Sequence, residues 1–144
     1  MTKIPRPTDA ELALLRVLWE RGPSTVRQVH DVVSEGRALA YTTTLKLLQI
    51  MTEKGLVRRQ EQGRSHVYQA RFAEEETQRR LVGDLLDRAF GGSAAKLVLQ
   101  ALAARRASPE DLREIRALID SRTPGSKTPD SETTNTKEND RGRD

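Results

Sequence analysis

The 144-residue chain contains no cysteine, which removes disulfide frameworks, thiolate metal sites and cysteine nucleophiles at once. Histidine is nearly as scarce: His30 and His66 lie far apart in the sequence and cannot form a histidine-rich metal site by themselves. Aromatic residues make up only 3%, too few for a surface that stacks single-stranded bases. No apolar run approaches the roughly 20 residues that a membrane span needs, and the opening MTKIPRPTDAE lacks a signal-peptide core. No membrane insertion and a cytoplasmic location are therefore expected. Missing too are a Gly-rich phosphate loop, H-E-x-x-H, and any nucleophile that the order of elements would bring beside a histidine and an acid. The chain is expected to be no enzyme and to use neither metal nor cofactor.

Charge, by contrast, is abundant at 32% of residues, and it is unevenly spread. Residues 1–72 carry 12 Lys/Arg against 7 Asp/Glu, 73–121 carry 8 against 9, and 122–144 carry 5 against 5. The cationic excess thus belongs to the first half, which points to a polyanion-binding surface there and a different role for the middle of the chain.

Periodicity divides the first half into three helices and a hairpin. In PTDAELALLRVLWERG, Thr8 and Glu11 stand at capping-box spacing, and Leu12, Leu15, Leu18 and Trp19 share a face. After Gly22-Pro23, Ser24 or Thr25 caps a second helix bearing Val26, Val29 and Val33. A third runs from about Tyr41 to Lys54. In it Thr44, Leu47, Leu48 and Met51 follow core spacing, so at 100° per residue Thr42, Lys46, Gln49 and Glu53 point outward, with Thr43 on the flank. Three successive threonines weaken a helix by a few tenths of a kcal/mol each, roughly, relative to alanine, so they call for a reason. One belongs to the core; the other two either cap the helix or meet a partner surface such as phosphates and thymine methyls. Next, LVRRQEQGRSHVYQA alternates as a β-hairpin with Gly63 near its tip. Three helices and a basic hairpin are the order of a winged helix-turn-helix domain, here residues 1–72.

From 73 to 121 the pattern is helical again. Glu74-Glu75-Glu76 favours a helix start, Leu81, Val82, Leu85, Leu86, Ala89 and Phe90 form a broad stripe, and Gly91-Gly92 ends it. Two shorter helices follow, one with Leu97, Val98, Ala101 and Leu102 after Ser93, one with Leu112, Ile115 and Ile119 after Ser108-Pro109. So few residues hold little interior of their own, and the wide stripes call for a second copy in two-fold symmetry. Leu81, Leu85, Leu86, Phe90, Leu97, Leu102, Leu112, Ile115 and Ile119 are the expected dimerisation residues. Residues 122–144 have no large apolar side chain and are expected to be a disordered polar tail.

The stretches LLRVLWERGPSTVRQVH, AYTTTLKLLQIMTEKGLV, GRSHVYQA and FGGSAAKLVLQALAARRASPEDLREIRALID, in that order, resemble the penicillinase-repressor family of bacterial regulators, the BlaI/MecI type. The resemblance covers about Thr8 to Ser121. It implies a mostly helical protein with a small β-hairpin, in which a winged-helix DNA-binding domain is joined to a helical dimerisation domain. It further implies a homodimer that blocks transcription on palindromic double-stranded operators, often of the TACA/TGTA kind. Thr42, Thr43 and Lys46 then fall on the recognition-helix surface, and Arg64 and His66 in the wing. In the best-known members a membrane sensor protease relieves repression by cutting an Asn-Phe bond in the dimerisation domain; the matching place here reads Gln100-Ala101. A cysteine-based copper-sensing version is excluded.

The full expected DNA-contact set is Ser24, Thr25, Thr42, Thr43, Lys46, Gln49, Arg58, Arg64 and His66. Arg58, Arg59 and Arg64 read as phosphate contacts or plain solubility charges in preference to base readers. Trp19 belongs to an apolar face and hence to the core. Asp84 and Asp87 read as solvated charges beside the leucine stripe in preference to a metal pair. The alternative to a repressor is a winged-helix protein-docking module without specific DNA binding, which would be expected to show larger apolar anchors on the outward face of the third helix.

Overall fold

The computed structural model describes residues 5–124. Helix α1 (Asp9–Arg21) begins with the expected capping box: Thr8 Oγ1 accepts from the Glu11 N–H and Glu11 Oε1 accepts from the Thr8 N–H, at 3.2 and 2.9 Å. A two-residue strand β1 (Ser24–Thr25) leads into α2 (Val26–Gly36), where Thr25 and Gln28 repeat the same reciprocal cap. Helix α3 (Tyr41–Lys54) ends on Gly55, whose φ of +83° is a left-handed conformation that glycine adopts without steric cost. Strands β2 (Val57–Gln62) and β3 (Ser65–Ala70) form the hairpin, with Gly63 at φ +61° in its tip.

The sheet has three antiparallel strands in the order β1-β3-β2, with Ser24 opposite Tyr68 and Arg59 opposite Tyr68 on the other side. Strand β1 was not among the expected elements, since two residues are too few for alternation to show. The core collects Leu14, Leu15, Val17 and Leu18 of α1, Val26, Val29 and Val33 of α2, Leu48 and Met51 of α3, and Leu56, Val57 and Tyr68 around the sheet. Leu12 and Trp19, expected in the core, pack against its margin half-buried, while Leu14 and Val17 are deeper. Helix α1 touches α2, α3 and β3 together, so its buried stripe is wider than a single-sided face.

Helix α4 (Glu74–Ala89) starts on the three expected glutamates. Compactness divides the chain after Ala94 and groups α4 with the winged helix. The expected boundary at residues 72 and 73 falls between β3 and α4. Within this first unit the Trp19 indole N–H donates to the Phe72 carbonyl at 2.9 Å, Arg80 lies 4.5 Å over the Phe72 ring, and Arg6 pairs with Asp84 at 2.8 Å.

The second unit contains α5 (Ala94–Ala104), which starts at the unit boundary, and α6 (Pro109–Arg122). Ser108 caps α6 in a reciprocal box with Asp111, and Pro109 occupies the first turn, where a missing N–H costs nothing. Neither helix buries a residue. The expected polar tail lies, from residue 125 on, outside the described residues. No helix among the described residues is long and apolar enough to cross a membrane.

Candidate nucleic-acid interface

The threonine run at the start of α3 separates as its helical phase requires. Thr44 is fully buried, and Thr42 and Thr43 are exposed. Neither of the exposed pair caps the helix. The N-cap is Ala40, which offers no side-chain cap bond, while its carbonyl accepts from the N–H groups of Thr43 and Thr44 at 3.0 and 3.1 Å. Two threonines therefore stand inside the first turn with their side chains presented outward, where the helix dipole favours anions. Lys46 and Gln49 are exposed further along.

The buried threonine holds this face in place. Thr44 Oγ1 and His30 Nδ1 of α2 share a hydrogen bond of 2.9 Å, so the hydroxyl that helix propensity disfavours is satisfied inside the helix pair. The His30 ring meets Tyr41 edge-on at 5.5 Å between centroids, and the guanidinium of Arg27 lies 4.7 Å over the Tyr41 ring. Arg27, exposed on α2, thus stands at the start of α3. Sequence reasoning missed it, because only the crossing of α2 and α3 brings residues 14 positions apart together. At the other end of α3, Lys54 donates to both carboxylate oxygens of the buried Glu11, at 2.8 and 2.9 Å. That bidentate pair ties the end of the helix to the start of α1, and a capping-box glutamate gave no sign of this second contact.

In the wing, Arg58, Arg59 and Arg64 are exposed, with Arg64 beside Gly63 at the tip. His66 is half-buried and faces its cross-strand neighbour Glu61, whose carboxylate lies 3.6 Å from Nε2. The two remaining expected contact residues are differently placed. Ser24 is 2% exposed and its hydroxyl donates to the Gly22 carbonyl at 2.8 Å, so the strand β1 withdraws that side chain from the surface. Thr25 is half-buried, with its oxygen engaged in the α2 cap.

Three helices with the third exposing a polar, cationic face, followed by a two-stranded wing that a short third strand completes, define a winged helix-turn-helix domain. The penicillinase repressor family model matches residues 7–121, and the chain belongs to that family. Over 100 residues it is 37% identical to the transcriptional regulator BlaI of Mycobacterium tuberculosis, covering 69% of this chain and 72% of that one. Over 120 residues it is 25% identical to the penicillinase repressor of Bacillus licheniformis, covering 83% and 94%. Among solved structures, the DNA-binding domain of the repressor BlaI is similar at 28% identity and a TM-score of 0.47, over 53% of this chain and 93% of that one. The monomeric form of Bacillus licheniformis BlaI in complex with the blaP half-operator is similar over the same shares, at 28% identity and a TM-score of 0.46. By family the chain is a transcriptional repressor and not an enzyme.

Proposed function

We propose that the protein represses transcription as a homodimer on two-fold symmetric operator DNA, with α3 of each copy in a major groove and each wing against the flanking backbone. The observation that carries this reading is the start of α3, where Thr42, Thr43, Lys46 and Gln49 are all exposed although none caps the helix. Lys46 suits a guanine edge or a phosphate, Gln49 an adenine edge, and the threonines phosphate or base edges. Arg58, Arg59 and Arg64, with His66 behind them, suit phosphates, which fix position without reading sequence. Arg27 joins the set as a further cation beside the recognition helix.

The dimer reading rests on apolar surface that a single chain leaves uncovered. Of the nine expected dimerisation residues, Leu85, Leu102, Leu112 and Ile119 are exposed, and Leu81, Leu86, Phe90, Leu97 and Ile115 are half-buried. Leu99, at 65% exposure, and Leu118, at 54%, extend the set. A second copy covers such faces at no cost in new sequence. Joining two half-site contacts then raises affinity through effective concentration. The site of action is the bacterial cytoplasm, where the DNA is. Relief of repression by a membrane sensor protease would sever α5 at Gln100-Ala101 and detach α6 from the DNA-binding half.

The test is equilibrium binding by fluorescence anisotropy to the protein's own upstream DNA and to a scrambled duplex, across a salt series. A preference of at least roughly 10³ for upstream DNA is expected. Equal binding with a steep salt slope would reduce the interaction to electrostatic association, and binding to neither duplex would favour a docking module.

A further inference from the structure

The recognition face is not uniformly polar. Between the exposed row of Thr42 and Lys46 and the buried side of α3 lies a shallow depression of about 280 Å³, lined by Thr42, Thr43, Lys46, Leu47 and Ile50. Its floor comes from two large aliphatic side chains, Leu47 and Ile50, both half-buried. Leu47 also packs against the core, whereas Ile50 stands one turn from Lys46 on the outward side. Spacing of three and four residues brings the methyl groups of Thr43, the stem of Lys46 and these two side chains onto one strip of the helix.

We infer that this depression receives the C5 methyl group of a thymine in the operator, and that Ile50, with Leu47, is a specificity-determining residue. The inference rests on the reading of α3 as the helix that enters the major groove. There, thymine alone among the bases presents a methyl group, next to hydrogen-bonding edges. A mixed surface with an aliphatic floor, threonine methyls at one side and a lysine at the rim complements that combination: methyl inward, acceptor or phosphate toward the ammonium. The cationic rim and the cationic excess of residues 1–72 favour a polyanion over a neutral apolar partner as the occupant. Sequence choice at that base pair then depends in part on burial of one methyl group, which cytosine lacks.

The experiment uses the full-length protein and its upstream duplex, with each thymine replaced singly by deoxyuridine, which removes the methyl and keeps every hydrogen-bonding group. At one or two positions per half-site affinity should fall about fourfold, and about fifteenfold when both half-sites are changed together. In Ile50→Ala those same replacements should change affinity by less than about twofold, with Ile50→Val intermediate. Melting curves of both variants establish that the fold is retained, and the milder Ile50→Val carries the comparison alone if Ile50→Ala does not fold. Full sensitivity in Ile50→Ala, or binding indifferent to every methyl while preference over scrambled DNA is intact, overturns the methyl site but leaves operator binding standing. Absence of any preference for the parent duplex overturns both.

Discussion

The winged-helix unit and the pair α5–α6 spend their aliphatic residues in opposite ways. In the first, Leu14, Leu15, Val29, Leu48, Met51 and Tyr68 are each at most 2% exposed, and the stripes of three helices close over a small sheet. In the second, Leu99, Leu112, Leu118 and Ile119 are between 47% and 65% exposed, and no residue is buried. Apolar content does not explain the contrast, since α5 is the most apolar helix among the described residues by composition, with Leu97, Val98, Leu99 and Leu102 among its 11 residues. What differs is the number of layers. A stripe is buried only where other elements close over it, and α5 and α6 each leave most of theirs to solvent.

The largest test of this contrast is to separate the regions. A fragment ending at Ala94 should fold cooperatively and, without Leu97, Leu102, Leu112, Ile115 and Ile119, associate far more weakly than the full chain in sedimentation equilibrium. Its affinity for the operator should fall by at least roughly 10², because two half-sites are no longer bound by one species. Undiminished affinity would mean that α5 and α6 contribute nothing to dimerisation.

Single truncations sharpen the same point. Leu48→Ala removes a fully buried side chain at the centre of the first core and should cost about 2–5 kcal/mol in urea unfolding, at any protein concentration. Leu99→Ala should instead lower the unfolding midpoint only at concentrations where the wild-type chain dimerises, and should weaken association. A concentration-independent loss there would show that α5 is covered by its own chain.

How far the sequence revealed these regions follows from the range of the interactions involved. The phase of α3 placed Thr44 inside and Thr42 and Thr43 outside, and the cap residues Thr8, Thr25 and Ser108 marked helix starts, because each depends on residues within a turn of one another. Strand β1 was hidden, since its two residues are a strand only by virtue of Tyr68 and Val67 more than 40 positions away. The burial of Ser24 was hidden for the same reason. The His30–Thr44 and Glu11–Lys54 pairs were equally illegible: they exist where helices cross, and crossing is decided by packing.

The His30–Thr44 pair carries the next prediction. Thr44→Val keeps the shape and removes the hydroxyl, leaving His30 Nδ1 without that partner in a half-buried setting, and should cost about 1–2 kcal/mol. A double-mutant cycle with His30→Ala should recover most of that as coupling. Additive losses would show that the bond does not secure α3 against α2.

The smallest expected effects lie within the DNA-binding surface and divide α3 from the wing. Lys46→Ala should weaken binding to the operator more than to scrambled DNA, since its side chain lies on the proposed recognition helix. Arg64→Ala, at the exposed tip beside Gly63, should weaken both duplexes by the same few-fold factor and reduce the slope of log affinity against log salt by about 1, the signature of one lost phosphate contact. Measured by anisotropy over one salt series, the two variants should therefore separate in specificity ratio more clearly than in affinity. If Arg64→Ala instead changes the ratio and Lys46→Ala does not, readout belongs to the wing, and α3 serves to hold the protein on the backbone.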